Sequence, residues 1–251
     1  MIDITRRGRV AVVTMRHGKA NAMDIAFCND IIRRFEDLRS AAAAAVVLTG
    51  QGPIFSAGVD LIRAVDGGPA YLRDFLPVLS KVFETVFFCL KPVVAALNGH
   101  AIAGGCVLAC AADRRVMARE PGRIGVTELL VGLPFPPMAF EIMRFVAAPQ
   151  YFEDIIFSGA TYAPEAGRER GLVHDVVEPE LLLDRAVAAA EALASLRPAA
   201  FALTKQQSRQ VLQDRVQQDA SRFDAAVRDI WTAPESATRI RDYVARTLKK
   251  S

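Results

Sequence analysis

The sequence predicts an α/β domain followed by a helical C-terminal region. Short apolar runs of strand length alternate with longer segments of helical period, and from residue 138 onward the pattern is mostly helical. Such alternation is typical of helices packed against a sheet. No linker rich in proline, glycine or serine and no tandem repeat of clear period interrupts the chain. We therefore expect a core domain at 1–195 and a C-terminal helical region at 196–251.

The individual elements follow from hydrophobic period and from boundaries at glycine and proline. The predicted strands cover 10–14, 45–50, 93–97, 114–118 and 173–177. The predicted helices cover 22–39, 70–90, 104–112, 138–146, 150–158, 164–170, 180–196, 199–214 and 218–231. Residues 62–75, which contain Gly67 and Gly68, are predicted to form a mobile loop before the second helix.

Composition and charge exclude several classes of protein. The 251 residues are 52% hydrophobic and 24% charged, which is enough for a sizeable core. The formal net charge is +3 and both signs are scattered, so the chain lacks the footprint of a nucleic-acid or membrane-surface protein. No N-terminal signal and no apolar run long enough to span a bilayer is visible. We expect a soluble, cytoplasmic protein with neither nucleic acid nor membrane as partner.

Cysteine and histidine spacing gives no indication of a metal site. The four cysteines form no CxxC pair, and the three histidines lie far apart in the sequence. Cys106 and Cys110 lie four residues apart within an apolar stretch, as buried small hydrophobes commonly do. We expect reduced thiols and no metal ion.

Two glycine-rich segments carry the strongest functional signal. FSAGVDL occupies 55–61 and HAIAGGCVLACAAD occupies 100–113, and each is predicted to be a turn that leaves a strand and begins a helix. Glycine lets a backbone approach a ligand closely, and a helix start leaves N–H groups without partners. Two such N–H groups that converge on one carbonyl oxygen form an oxyanion hole.

Together with GVTELLVGLPFP at 125–136, these segments resemble the crotonase superfamily, the enoyl-CoA hydratase/isomerase family. The resemblance runs from about Asn21 to Lys205. It implies a spiral of strand–strand–helix units and an acyl-CoA thioester substrate, with no cofactor because coenzyme A is part of the substrate. It also implies a homotrimer, or a hexamer of two trimers, assembled through the C-terminal helices.

The resemblance assigns roles to individual residues of the two motifs. The N–H groups of Val59 and Gly104 would form the oxyanion hole. The carbonyl of Ala57 would accept a hydrogen bond from the adenine amino group. Lys19 and Lys205 lie near positions where members of the family bring a lysine to the coenzyme, and either is equally a solvated surface charge.

Hydratases of this family carry two catalytic glutamates, and this chain has one of them. Val107 stands at the first position, after the GGC string, and Glu128 stands at the second. Hydration needs a water molecule held between two carboxylates, and valine can neither hold it nor move a proton. A single carboxylate is enough to move a proton from C2 to C4 of a 3-enoyl thioester. Δ3,Δ2-enoyl-CoA isomerases show this pattern, so the resemblance favours an isomerase.

Two alternatives to an isomerase stay open at this point. Another carboxylate in place of the missing one would permit a hydratase or a different reaction of the superfamily. Glu141 and Glu153 are other carboxylates in the neighbourhood, and nothing in the sequence marks Glu141 as catalytic. A protein that keeps the thioester site without turnover would be an acyl-CoA-binding protein.

Glu128 is followed by Leu129, Leu130 and Val131, an apolar setting that would raise its pKa and favour an acid–base role.

The remaining candidates concern the acyl group. Phe135, with Met138 and Phe140, is a candidate for the acyl pocket and equally for the core. Leu61 and Val107 are expected to contact substrate. Asp60 lies in the first motif, beside the substrate, and is expected to cap the helix that follows rather than to react.

Overall fold

The computed structural model describes residues 1–247, with the backbone alone at 220 and 221. These residues form two sheets. The strands are β1 (Ile2–Arg7), β2 (Val10–Met15), β3 (Ala45–Gly50), β4 (Ile54–Ser56), β5 (Val93–Leu97), β6 (His100–Ile102), β7 (Arg114–Ala118), β8 (Ile124–Gly125) and β9 (Asp175–Val177). The α-helices are α1 (Ile25–Ser40), α2 (Leu61–Phe87), α3 (Gly104–Cys110), α4 (Pro137–Val146), α5 (Phe152–Ser158), α6 (Pro164–Glu169), α7 (Leu182–Ala194), α8 (Pro198–Thr232) and α9 (Pro234–Thr247).

From β3 onward, consecutive strands alternate between the two sheets. The larger sheet has the order β1-β2-β3-β5-β7-β9 and the smaller one has the order β4-β6-β8. Except for the antiparallel pair of β1 and β2, neighbouring strands are parallel. Each pair β3–β4, β5–β6 and β7–β8 contributes one strand to each sheet and is followed by the next helix of the chain. This repetition confirms the predicted α/β spiral of strand–strand–helix units.

The larger sheet is buried on both faces, which explains the continuous apolar runs in its strands. In β3, Val46 and Leu48 pack in the main core with residues of α1 and α2. Ala45 and Val47 pack on the other face against Leu182 and neighbouring residues of α7. Parallel strands that helices cover on both faces do not alternate between apolar and polar residues. Strands of this kind are therefore recognised in a sequence by the length of the apolar run and by the glycine or proline at its boundaries.

The strands of the smaller sheet do not stand out in the sequence. β4 and β6 have three residues each and β8 has two, which is too short for a hydrophobic period to develop. These short strands are nevertheless what brings the two glycine-rich segments together, because β4 and β6 are hydrogen-bonded neighbours.

The predicted mobile loop at 62–75 is wrong. These residues belong to α2, which starts at Leu61 and runs to Phe87. The Asp60 side chain accepts a hydrogen bond from the Arg63 N–H at 3.0 Å, and this confirms the expected helix cap. The glycine pair does interrupt the helix, but only at Gly68, whose φ is +65°. A single residue in the left-handed region kinks the helix, and the helix continues on both sides of it.

The C-terminal helices also differ from the prediction. α8 is one helix of 35 residues where two were predicted, and α9 was not predicted. α8 packs against α2 and α4, and α9 packs against α2 and the turn that begins at Glu128. Within residues 1–247 no single helix is long and apolar enough to cross a membrane. The segments 179–194 and 198–219 reach that length and composition only together, as a pair bent by 100°.

We expect a trimer, or a hexamer of two trimers, because several large apolar side chains of α8 remain exposed in the single chain. They are Leu203, Val211, Phe223 and Ile230. The apolar side chains of α7, by contrast, are occupied in the core, with Leu182, Ala186 and Val187 buried against the larger sheet. Multi-angle light scattering should give a mass of three or six chains. A stable monomer at micromolar concentration would contradict this expectation.

Candidate active site

The turns that follow β4 and β6 meet closely at Gly58. Its φ is +82°, and a Cβ atom there would lie 2.8 Å from the Ile102 carbonyl oxygen and 2.9 Å from the Gly104 nitrogen. Contacts this short do not occur for real side chains, and the positive φ adds strain to any other residue. Glycine at position 58 is therefore what permits the two motifs to approach each other.

The two predicted oxyanion-hole donors lie on these turns. Met23 and Val59 form an isolated β-bridge with two hydrogen bonds. The Met23 N–H donates to the Gly58 carbonyl at 2.7 Å and the Asp60 N–H donates to the Met23 carbonyl at 3.0 Å, so the bridge does not use the Val59 N–H. Gly104 is the first residue of α3, and the first N–H groups of a helix have no partner within it. Val59 and Gly104 line the same pocket. Both residues therefore bring their backbone to one pocket, as an oxyanion hole requires.

Backbone strain orients the second donor. Ala103, directly before Gly104, has φ +52° and ψ −127°, a conformation that residues with a Cβ rarely adopt. Its own N–H donates to the Gly125 carbonyl at 2.9 Å, which holds the turn in place. Strained residues of this kind cluster at functional sites, where the surrounding structure maintains them. Here the strained residue sets the plane of the peptide that carries the Gly104 N–H.

Buried hydrogen bonds fix the first motif from behind, and no pattern in the sequence indicates their donors. Asn21 is buried, and its side-chain amide donates to the Phe55 carbonyl at 3.0 Å. The Ser56 hydroxyl donates to the Asn21 carbonyl at 2.8 Å and accepts from the Gly58 N–H at 3.2 Å. The Ala57 N–H donates to the Ala20 carbonyl at 3.0 Å. The turn that carries Val59 is therefore held by contacts to the chain before α1.

Glu128 is the first residue of a 3₁₀ turn that runs to Val131, and it lines the same pocket. Its Oε2 atom is fully buried and has no hydrogen-bond partner among the described residues. Burial raises the pKa of Glu128 to about 7, although the backbone N–H groups of Glu128 and Thr127 partly oppose the shift. A carboxylate with one unpartnered oxygen atom and a pKa near neutrality is suited to accept and release a proton.

The apolar setting of Glu128 comes from different residues than expected. Leu129 and Leu130, which follow it in the sequence, are exposed. The surroundings that bury the carboxylate are the pocket walls, which include Val107, Val131 and Leu133, all buried. The expectation of an apolar environment holds for Val131 and is wrong for the two leucines.

The pocket itself has a volume of about 90 Å³ and is mostly apolar. Six of the residues singled out in the sequence line it, namely Ala57, Val59, Leu61, Gly104, Val107 and Glu128. The other lining residues are Leu79, Phe83, Ile102, Ala103, Thr127, Val131, Leu133, Pro136, Ala139, Trp231 and Tyr243. Glu128 is the only carboxylate among the lining residues that the structure describes.

Trp231 and Tyr243 bring the C-terminal helices into the site. Trp231 lies at the end of α8 and is buried, and its indole N–H donates to the Pro134 carbonyl at 2.9 Å. Tyr243 lies on α9. Apart from Lys205, the residues of these helices were expected to serve assembly only. The only tryptophan of the chain was the available signal, because a buried tryptophan usually has a partner for its N–H.

Two residues that were expected to contact substrate lie outside the pocket. Phe135 is half-buried against Phe140 and lines a separate outer groove, while its neighbour Pro136 faces the pocket. Asp60 lies beside the pocket-lining Leu61, but its carboxylate caps α2. Phe135 is therefore not part of the pocket that contains Glu128.

Lys205 lies at the opposite side of the fold from the glycine turns. Its ammonium group is buried and donates to Asp113 at 2.7 Å and to the Lys91 carbonyl at 3.2 Å. Asp113 also accepts from the Arg209 guanidinium and from the Val93 N–H, both at 2.7 Å. Burial lowers the pKa of Lys205 to about 8, against the opposing effect of Asp113. In this chain Lys205 forms a buried ion pair at the amino ends of β5 and β7 and does not reach the pocket.

Lys19 is exposed and lies directly before Ala20, whose carbonyl accepts a hydrogen bond from the Ala57 N–H. That location leaves its predicted contact with the coenzyme open. Among residues 1–247 there is no group of three or more histidine, cysteine, aspartate and glutamate side chains arranged to hold a metal ion.

Comparison with known proteins identifies the family. A family model described as enoyl-CoA hydratase/isomerase matches residues 5–239 of the chain. The chain belongs to the enoyl-CoA hydratase/isomerase family. Enzymes of this family act on acyl-CoA thioesters.

The similar proteins carry both names of the family. A Thermus thermophilus protein described as a putative enoyl-CoA hydratase is 33% identical over 205 residues, 80% of each chain. Human mitochondrial delta3-delta2-enoyl-CoA isomerase has the same fold, with a TM-score of 0.92 at 23% identity over 100% of this chain and 99% of its own. A Mycobacterium tuberculosis protein, described in one structure as an enoyl-CoA isomerase and in another as a probable enoyl-CoA hydratase, has in the first of these a TM-score of 0.79 at 29% identity, covering 91% of this chain and 96% of its own. The names of these enoyl-CoA hydratase/isomerase relatives do not decide between the two reactions.

Substitution of Gly58 by alanine should damage the oxyanion hole more than the fold. The new Cβ would push against the Gly104 nitrogen and displace both donors. Loss of one such donor typically costs about 10²–10³-fold in kcat. Gly52→Ala is the matched control, because Gly52 has a φ of +73° and open space around it. Steady-state kinetics on an acyl-CoA substrate, with thermal melts of both variants, checks this; equal activity of the two variants would contradict it.

Proposed function

We propose that this member of the family is an enoyl-CoA isomerase that moves a double bond from the 3-position to the 2-position of an acyl-CoA thioester. The observation that carries the proposal is the single carboxylate of the pocket. Glu128 lines the pocket, and Val107 is a fully buried apolar side chain at the first of the two positions where hydratases of this family carry a glutamate.

The proposed reaction uses one base and two donors. The thioester oxygen accepts hydrogen bonds from the Val59 and Gly104 N–H groups, and Glu128 removes a proton from C2. The negative charge then spreads from C2 through the carbonyl and the C3–C4 double bond, and the N–H groups stabilise it on oxygen. Glu128 returns the proton at C4, which leaves the double bond between C2 and C3. The same carboxylate is the acceptor and the donor, so no second acid is needed.

The other carboxylates considered for a hydratase have different roles. Glu141 is buried and forms ion pairs with Arg144 at 3.1 Å and Arg215 at 3.6 Å. It lines the outer groove rather than the pocket, and Glu153 is exposed at the start of α5. Neither supports the positioning of a water molecule opposite Glu128, which favours isomerisation over hydration.

Two substrates separate the candidate activities. With 3-hexenoyl-CoA, an isomerase produces the absorbance of a 2-enoyl thioester. With 2-hexenoyl-CoA, a hydratase removes that absorbance and an acyl-CoA-binding protein changes neither. We expect the first signal to form and the second to persist. Rapid formation of 3-hydroxyacyl-CoA from the 2-enoyl substrate would overturn the proposal in favour of a hydratase.

Glu128→Gln should lower the rate of isomerisation by about 10²–10⁴-fold, the usual contribution of a positioned acid–base group. Glutamine keeps the shape of the side chain and removes the proton acceptor. The affinity for a saturated acyl-CoA, measured by calorimetry, should change little. The thermal midpoint above about pH 7 should be equal or higher, because a neutral side chain replaces a charge that is costly to bury. Normal turnover by this variant would show that the base is another group.

The pH dependence of kcat/KM should follow the ionisation of Glu128. The base acts only when it is deprotonated, and burial raises its pKa to about 7. Below that pH, kcat/KM should therefore fall about tenfold per unit, and above it the profile should level off. Stopped assays of 3-hexenoyl-CoA between about pH 5 and about pH 9 measure this. A flat acid limb across that range would contradict the assignment of the raised pKa to the catalytic base.

A further inference from the structure

One wall of the pocket consists of a side chain from α8. Trp231 is buried, and its indole N–H donates to the Pro134 carbonyl at 2.9 Å. The hydroxyl of Ser236 donates to the Ile230 carbonyl at 2.6 Å, which fixes the corner between α8 and α9 beside the tryptophan. Trp231 is thus held by its own hydrogen bond and by the helix corner next to it.

The segment that Trp231 contacts separates two spaces. Leu133 and Pro136 face the pocket that contains Glu128. Pro134 and Phe135, between them in sequence, face an outer groove of about 620 Å³. Val227, one turn before Trp231 on α8, also lines the outer groove. The contact between Trp231 and Pro134 therefore lies in the partition between a small pocket and a much larger space.

The volume of the pocket limits what it can hold. A cavity of about 150 Å³ accommodates one benzene molecule, which has six carbons. The pocket here has about 90 Å³, and its walls include large buried side chains such as Leu79 and Phe83. By proportion it holds about four carbons in its present shape, and a modest adjustment of the half-buried Tyr243 would add one or two.

We propose that Trp231, held by Pro134, is the residue that restricts this enzyme to short acyl groups of about four to six carbons. The inference rests on the proposed function in one respect, that the pocket beside Glu128 receives the acyl group. Trp231 touches the acyl chain and not the reacting atoms, so it determines specificity rather than catalysis. A longer chain would have to pass through the partition into the outer groove.

The wild-type enzyme provides the first test. Isothermal titration with saturated butanoyl-, hexanoyl-, octanoyl- and decanoyl-CoA measures binding without any reaction. Each buried methylene should increase affinity by about fourfold until the pocket is full. We expect affinity to rise from butanoyl- to hexanoyl-CoA and to fall at octanoyl-CoA. Continued tightening through decanoyl-CoA, or no binding of any of the four, would overturn the proposal.

Trp231→Ala provides the second test. Removal of the indole opens the partition, so decanoyl-CoA should bind at least about tenfold more tightly than to wild type, while butanoyl-CoA changes less. Trp231→Phe keeps an aromatic wall and should keep the short-chain preference. Val211→Ala, on the exposed part of the same helix, is the control for general effects on α8. Unchanged chain-length preference in a folded Trp231→Ala variant would overturn the proposal.

The design separates this inference from the proposed reaction. Saturated acyl-CoA contains no double bond, so the length limit is measured whether or not the enzyme is an isomerase. If hexanoyl-CoA binds with the expected limit and 3-hexenoyl-CoA is not isomerised, the proposed reaction fails and the role of Trp231 stands. If 3-hexenoyl- and 3-decenoyl-CoA are isomerised with equal kcat/KM, the isomerase stands and the role of Trp231 fails.

Discussion

The turns after β4 and β6 can approach each other only because residue 58 has no side chain. A Cβ there would lie within 3 Å of three atoms of the neighbouring turn, including the Gly104 nitrogen. The two N–H donors of the pocket lie on these turns, so their spacing depends on this contact. Asn21 and Ser56 fix one turn from behind, and the strained Ala103 fixes the other. The proposed oxyanion hole thus depends on backbone packing, and the side chain of Val59 lines the pocket.

Burial of a lone carboxylate beside these donors has an energetic cost that the fold has to offset. Because the folded-state pKa of Glu128 is raised to about 7, the unfolded chain binds fewer protons than the folded one between the ordinary and the raised pKa. Stability therefore decreases as pH rises through that window, and above it the penalty is fully present. A second carboxylate at position 107, which is also fully buried, would add to this penalty unless water or a cation accompanied it. Valine at this position adds no charge, so Glu128 remains the only carboxylate among the described residues that line the pocket.

The sequence predicted those parts of the molecule whose signals are local. Strands such as 45–50 and 93–97 are bounded by glycine or proline, and the glycine motifs have a fixed spacing, so both could be identified. The short strands β4, β6 and β8 could not, because pairing with neighbours defines them rather than any period of their own. Phe135 was misplaced because Leu133 and Pro136 face the pocket while Pro134 and Phe135 face the outer groove, and no pattern in this proline-rich segment shows which residues face which side. Lys205 was misplaced because its partner Asp113 is 92 residues away and no local pattern indicates that a lysine is buried.

The same long-range contacts explain why α8 was predicted as two helices. Its inward face carries Lys205 and Arg209 near the start and Val227 and Trp231 near the end, so the buried stripe changes from charged to apolar along one helix. The hydrophobic periodicity of the sequence is interrupted where that change occurs, although the helix itself continues. At 1.5 Å per residue the 35 residues of α8 extend for about 52 Å, which is the scale of the whole domain. Docking at the ion pair with Asp113 therefore helps to set where the far end of the helix lies, and with it the position of Trp231 in the wall of the pocket.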